Sequence, residues 1–292
     1  MQSVIELSLH SPWFFYALAA IISLMVGSFL NVVIYRLPIM MERDWQREYQ
    51  SYFNPDEPAP ETERFDLIKP DSTCPKCGHR IRAWENIPVL SYLFLGGKCS
   101  QCQTGISFRY PAVELLTGIL SLWAALHYGP SSQALIVIVL TWLLVAMTFI
   151  DLDKMILPDQ LTLPLLWIGL LASINHIFVS PTEAILGAAI GYLSLWSIYW
   201  AFKLLTGKEG MGYGDFKLLA ALGAFTGWQG LLIIILLSSF VGAIFGIIIM
   251  FRQKQGKELA IPFGPYLAIA GWLTLLYQEP IKTAYLSWAL GY

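Results

Sequence analysis

Long apolar runs broken by short polar stretches make up most of the chain, the pattern of a protein that crosses a membrane repeatedly. A spanning helix needs about 20 mainly apolar residues. Such runs cover about 13–35, 111–128, 133–150, 160–179, 183–202, 216–229, 230–251 and 261–279, which predicts about eight spans. The sixth is short, and Gly227-Trp228-Gln229-Gly230 is the only break before the seventh, so these two read as a tight hairpin or one broken pair. Between the first and second runs lies a polar stretch, 36–110, with prolines, charges and all four cysteines. The expected fold is therefore all-α and membrane-integral. It has a first transmembrane helix in 1–35, a loop domain in 36–110 and a seven-helix core in 111–292. Within the loop, Tyr49–Pro70 is expected to be an irregular linker, on the strength of Asn54-Pro55-Asp56-Glu57-Pro58-Ala59-Pro60.

Basic residues stay on the cytoplasmic side. The 36–110 stretch carries Arg36, Arg43, Arg47, Arg64, Lys69, Lys76, Arg80, Arg82, Lys98 and Arg109, ten of the eighteen Lys and Arg. With that loop inside, alternation also places Lys154, Lys203, Lys208, Lys217, Arg252, Lys254 and Lys257 inside, and only Lys282 outside. Both termini are then expected in the periplasm, and the polar breaks at Asp151 and Asp215 share the cytoplasmic face. The first run is expected to be a retained helix, not a cleaved signal: residues 1–12 hold no Lys or Arg, and the apolar run is too long.

Composition agrees. Of 292 residues 56% are hydrophobic and 13% charged, about half the charged share of a soluble domain. Eleven tryptophans and fourteen tyrosines suit many membrane interfaces. A net charge of −2 gives no reason to expect nucleic acid as a partner.

Cys74-Pro75-Lys76-Cys77-Gly78 and Cys99-Ser100-Gln101-Cys102 form two C-x2-C pairs around a 21-residue spacer. Two residues between thiolates let both sulfurs face one tetrahedral ion. Two disulfides are the alternative, but a cytosolic loop keeps its thiols reduced, so zinc on Cys74, Cys77, Cys99 and Cys102 is the expectation. Four sulfurs close the shell and leave no position for water, which makes the metal structural. His79 then reads as a surface residue, and His10, His127 and His176 as interface residues near the outer ends of spans.

Gly210-Met211-Gly212-Tyr213-Gly214-Asp215-Phe216-Lys217 is a glycine-rich turn ending in an aspartate between apolar runs, and Asp151-Leu152-Asp153-Lys154 sits at a similar break. Ionisable residues there are costly unless they serve a function. Asp215 before Phe216 is also a good helix cap, as is Asp159 after Pro158, and Asp153 could pair with Lys154 or solvent. The three alternating glycines favour more than a cap, because they allow close backbone approach. Two neighbouring carboxylates resist joint ionisation, so one keeps a proton and the other can act as base. No H-E-x-x-H is present, and no Ser/His/Asp arrangement suggests itself.

With these residues in place the chain resembles the type IV prepilin peptidases, which are leader peptidases and N-methyltransferases of pilus and type II secretion systems. The matching stretches are Gly27-Ser28-Phe29-Leu30-Asn31-Val32-Val33, Arg36-Leu37-Pro38, the cysteine tetrad, Glu85-Asn86-Ile87-Pro88 and Arg109-Tyr110-Pro111. They continue with Ile150-Asp151-Leu152-Asp153, Leu157-Pro158-Asp159, Gly210 through Lys217, and Pro262-Phe263-Gly264-Pro265-Tyr266. The resemblance implies an enzyme of the bacterial inner membrane that cuts the basic leader from prepilins and pseudopilins at the cytoplasmic face. It implies Asp151 and Asp215 as the catalytic pair, with Asp153 in reserve, and a zinc-stabilised cytoplasmic domain. It also implies methylation of the new N-terminus with S-adenosylmethionine.

No glycine-rich loop after a strand marks a site for that donor. Glu114, early in the second span, could serve it, bind a substrate residue or pair with a helix-end arginine. Two other classes compete. A proton-coupled transporter would favour charges near the midplane and related halves, and a zinc-stapled assembly factor would leave the glycine-aspartate turn without a role.

Overall fold

The structure is a computed structural model, and it describes residues 11–54, 64–253 and 261–291. His10, the 55–63 part of the expected linker, and Lys254 and Lys257 lie outside the described residues. The described chain is helical, without a strand among those residues. Its helices are α1 (Pro12–Phe53), α2 (Leu90–Phe94), α3 (Arg109–Tyr128), α4 (Ser132–Lys154), α5 (Asp159–Ile174), α6 (Pro181–Thr206), α7 (Tyr213–Gln253) and α8 (Gly264–Leu290). A short 3-10 turn, Ala83–Asn86, precedes α2. A helix covers most of each expected run; α5 ends at Ile174, five residues short of its run, and the runs at 216–229 and 230–251 are joined in α7. Four helices, α1, α4, α6 and α7, are long and apolar enough to cross a membrane, and α5 is a shorter apolar helix. The chain falls into two compact units, divided at Pro130.

In the first unit α1 is far longer than the run that predicted it. Its 42 residues would extend about 63 Å at 1.5 Å per residue, twice the hydrocarbon thickness of a bilayer. Arg36-Leu37-Pro38 does not end it. Pro38 removes one helical hydrogen bond, but the following Met41-Glu42-Arg43-Asp44 and Gln46-Arg47-Glu48 are good helix formers and carry the helix on. Arg36 is buried and clasps the returning chain, donating Nη1 to the Asp66 carbonyl at 2.9 Å and Nη2 to that of Pro70 at 2.6 Å. The expected linker from Tyr49 is therefore helical as far as Phe53.

In the second unit α7 is the central helix. Phe216, Leu218, Leu219, Leu222 and Phe225 along its first half are fully buried, as in a helix surrounded by others. It packs on α6 so closely that a Cβ on Gly187 would lie 2.1 Å from the carbonyl oxygen of Gly223. The helix breaks at Gly227, whose φ of 69° and ψ of 175° are non-helical. Helix α8 bends at a similar depth, at Tyr277, and its Gln278 donates Nε2 to the Thr226 carbonyl at 3.2 Å. In hydrocarbon a carbonyl freed by a break has to be answered from within the protein. Trp272 of α8 donates its indole N–H to Thr141 of α4 at 2.9 Å, which ties a third helix into the bundle.

Candidate active site and metal centre

Asp151 lies one turn before the C-terminus of α4, which the left-handed Met155 ends. Asp215 lies in the first turn of α7. Both are buried, and they stand within electrostatic reach of each other. Three contacts bring them together. The backbone N–H of Gly264, first residue of α8, donates to Asp151 Oδ2 at 3.0 Å. Leu157, in the turn between α4 and α5, packs on the sites where Gly214 and Gly264 lack side chains. A Cβ would lie 2.7 Å from the Leu157 Cβ at Gly214, and 2.7 Å from Asp151 Oδ2 at Gly264. Both positions are closed to any larger residue as long as the turn keeps its place. Of the three glycines before the aspartate, Gly214 is thus the most tightly packed; a Cβ at Gly210 would meet the Phe202 ring at 3.0 Å. Gly212 has no neighbour nearer than 4.0 Å.

Asp215 is not the N-cap itself. Helix α7 begins at Tyr213, and the Asp215 carboxylate faces the backbone N–H of Gly212 from within the first turn. Asp159 is no cap either, because Pro158 precedes α5 without a side-chain cap. Its carboxylate takes two contacts from Lys217 Nζ, at 2.6 and 2.8 Å, and so ties the start of α5 to the start of α7 outside the buried pair. Asp153 is exposed on the last turn of α4. The structure thus separates the four aspartates: two are buried together and two lie at the surface. The role of Gly264 was the part that sequence reasoning missed. Its signal was present in the tight Pro262-Phe263-Gly264-Pro265 stretch.

The four cysteines of the first unit converge, with all four Sγ atoms within 4.8 Å of one another. The two pairs form the same turn twice. Cys74 N–H donates to the His79 carbonyl and Gly78 N–H to that of Cys74. Cys99 N–H donates to the Thr104 carbonyl and Gln103 N–H to that of Cys99. Gly78 and Gln103 hold matching positive φ angles of 71° and 58°.

The donor set fits a zinc ion. Sulfurs 2.3 Å from a tetrahedral centre are about 3.8 Å apart, and Cys74–Cys102 and Cys77–Cys99 measure 3.8 and 3.9 Å. The backbone N–H groups of Cys77 and Lys76 hold Cys74 below the usual thiol range. The hydroxyl and N–H of Thr104 bring Cys102 down to about 6. The His79 N–H favours the Cys77 thiolate, but local desolvation and the three surrounding sulfurs together outweigh it and push Cys77 up to about 12. Four thiolates so close together call for a cation among them.

His79 is not the expected surface residue. Its Nε2 lies 3.1 Å from Glu85 Oε2 and 3.4 Å from the Ser100 hydroxyl, so it joins the first cysteine turn to the second. Glu85 also accepts the Arg82 N–H at 2.8 Å. The N–H of Arg82, the Ser100 hydroxyl and His79 together hold the Glu85 carboxyl down at about 2. Glu114 does not pair with an arginine. Its Oε2 accepts the backbone N–H of Val89 at 2.7 Å, and Ser28 is its other partner.

An apolar helical bundle holding two carboxylates at helix ends, in a chain that also carries a four-cysteine cluster, has the make-up of a membrane-embedded enzyme of the aspartic type. The chain belongs to the type IV leader peptidase family. That family's model matches residues 138–247, and the model of the bacterial peptidase A24 N-terminal domain matches residues 21–128. A prepilin leader peptidase/N-methyltransferase of Aeromonas salmonicida is 59% identical over 288 residues, covering 98% of this chain and 99% of the relative. Proteins of the same description are 54% identical in Pseudomonas aeruginosa (95% of this chain, 96% of the relative) and 48% in Neisseria gonorrhoeae (97% of each). No solved structure matches the chain.

Proposed function

We propose that this protein cuts the leader peptide from prepilins and pseudopilins with Asp151 and Asp215 and then methylates the amine that the cut exposes. The observation that carries the peptidase half is the convergence of these two aspartates on Leu157 and Gly264. The ionised member takes a proton from water as the water oxygen attacks the scissile carbonyl. The protonated member donates to the carbonyl oxygen, and the proton gained from water passes to the leaving amine as the C–N bond breaks. Neither metal nor covalent enzyme intermediate enters that sequence.

Cys74, Cys77, Cys99 and Cys102 would hold a zinc ion whose closed shell braces the loop domain of 36–110 and supplies no open coordination position. S-adenosylmethionine is the methyl donor in this reading, a substrate of the second reaction. The bacterial relatives support a location in the inner membrane, and the basic residues support an orientation with the zinc loop and both aspartates at the cytoplasmic face and both termini in the periplasm. The substrate's own apolar helix would lie in the same bilayer beside the 111–292 core.

Prepilin cleavage in membranes holding matched amounts of wild type, Asp151→Asn or Asp215→Asn tests the reading. Asparagine keeps shape and capping ability but cannot carry a proton between oxygens. Loss of cutting in each folded variant supports the pair. Normal cutting by either would reduce that aspartate to a structural role.

A further inference from the structure

Glu114 is a carboxylate that neither the aspartate pair nor the cysteine tetrad uses. It lies in the second turn of α3 and is 8% exposed. The groups that act on it, the Val89 N–H and the Ser28 hydroxyl, are both uncharged. A carboxylate in an apolar bundle without a cation is costly and marks a site of function.

Its surroundings are built to hold it there. Val89 has φ 61° and ψ −47°, the strained form of γ-turn, closed by the Leu90 N–H on the Pro88 carbonyl. A β-branched residue keeps such a conformation only where its environment enforces it, and here the turn aims the Val89 N–H at Glu114. Ser28, on α1, lies between Glu114 and Asn86: its Oγ is 3.4 Å from the Asn86 Oδ1, and its single O–H serves one of these two acceptors at a time. Asn31, almost one turn further along α1, donates its amide to the carbonyls of Gly27 and Tyr110, and Tyr110 lies one turn before Glu114. The Glu114 carboxylate therefore lies where α1 meets α3, between the Ser28 and Val89 contacts, with Asn86 on the exposed side. A buried carboxylate without a cation suits a ligand that only donates, as a primary ammonium does.

We propose that Glu114 receives the N-terminal ammonium created by leader cleavage and takes its proton, which frees the amine for methylation. The inference rests on the function proposed above and names the residue that function lacks. The ammonium gives one proton to the Glu114 carboxylate, leaving a neutral amine and a neutral carboxyl, the favoured pair in a site of low polarity. The amine nitrogen then uses its lone pair to form the N–C bond to the methyl group of a sulfonium donor. The C–S bond breaks, and its electron pair stays on sulfur as a neutral thioether. The product leaves as a secondary ammonium, and Glu114 returns its proton to solvent past Asn86.

The test is made on the zinc-loaded full chain in lipid nanodiscs, with a synthetic peptide of a mature pilin N-terminus, either free or N-acetylated. Wild type is expected to bind the free amine about tenfold more tightly than the acetylated form, the size of a charged hydrogen bond. Glu114→Gln is expected to erase that preference while keeping its zinc, and Glu114→Asp to restore part of it. Methylation by Glu114→Gln is expected to shift to alkaline pH, towards the free amine's own pKa of about 8. Equal binding of both peptides by wild type, or an unchanged preference and pH profile in Glu114→Gln, overturns the assignment. Should Glu114→Gln fail to fold, the acetylated peptide on wild type decides alone. A wild type that neither cleaves nor methylates overturns the proposed function and this inference with it. A wild type that does both, beside a Glu114→Gln with unchanged methylation KM, overturns this inference alone.

Discussion

Leu157 fills the space that a side chain on Gly214 would need: a Cβ there would lie 2.7 Å from the Leu157 Cβ and 3.3 Å from its carbonyl oxygen. The position of Asp215 is thus set from the opposite turn. Gly214→Ala is expected to push the two turns apart, at a cost of about 1–3 kcal/mol in stability. Cleavage should fall by up to about 10²-fold from the displaced carboxylate. Gly212→Ala, with open space around it, should cleave close to wild type. Prepilin cleavage and thermal melting of both variants in detergent would check the contrast, and equal behaviour would rule out the packing account.

The aspartates should divide by burial. Asp151→Asn and Asp215→Asn are each expected to lower cleavage by at least about 10²-fold, the usual worth of a lost acid or base. The double variant should be hardly worse than either single one, because the two act as a unit. Asp159→Asn breaks only the exposed pair with Lys217, worth about 0–1 kcal/mol, and should leave cleavage largely intact. Rates from matched membranes would decide; a dead Asp159→Asn would place that residue in the chemistry.

Removing the metal should act on folding first. Cys74→Ser, or treatment with a strong chelator, is expected to expose the 36–110 loop to proteolysis, since a structural zinc contributes its binding energy to the fold. Zinc content by mass spectrometry and the digestion pattern are the measurements. A Cys74→Ser protein that folds and keeps zinc yet cuts nothing would contradict this order of events.

Glu85 gives the loop a dependence on acid. The Arg82 N–H, Ser100 and His79 draw its pKa from an ordinary 4.5 to about 2. The folded state therefore binds this proton less readily than the unfolded one. The stabilisation is complete above pH 4.5 and is lost as the pH falls towards 2. Glu85→Gln should thus melt at a lower temperature than wild type at neutral pH, with the difference shrinking as the pH is lowered through that window. A gap that stays constant with pH would mean the carboxylate's charge plays no part.

The eight apolar runs were legible because lipid enforces one simple rule on every span, and the glycine-aspartate turn because its composition is unusual. The cysteine site followed from its spacing together with the basic residues that put the loop in the cytosol, since two C-x2-C turns leave little freedom and reduced thiols leave disulfides out. What could not be read were features that depend on partners far apart in the chain. Arg36 on α1 is buried because it finds the carbonyls of Asp66 and Pro70, thirty or more residues away. Asp159 and Asp215 look alike beside their glycines and prolines; only packing turns one towards Lys217 and the other inward. Val89 gives no sign of its strained turn in the sequence, because valine is the last residue local preference would place there.

The break in α7 at Gly227 has a consequence for how the helices can move. Gln278, next to the bend in α8, donates to the Thr226 carbonyl at 3.2 Å, and Lys282 donates to the Gln229 side chain at 3.1 Å. The break is thus pinned to α8 on both sides of Gly227, so neither half of α7 can tilt without carrying that helix along.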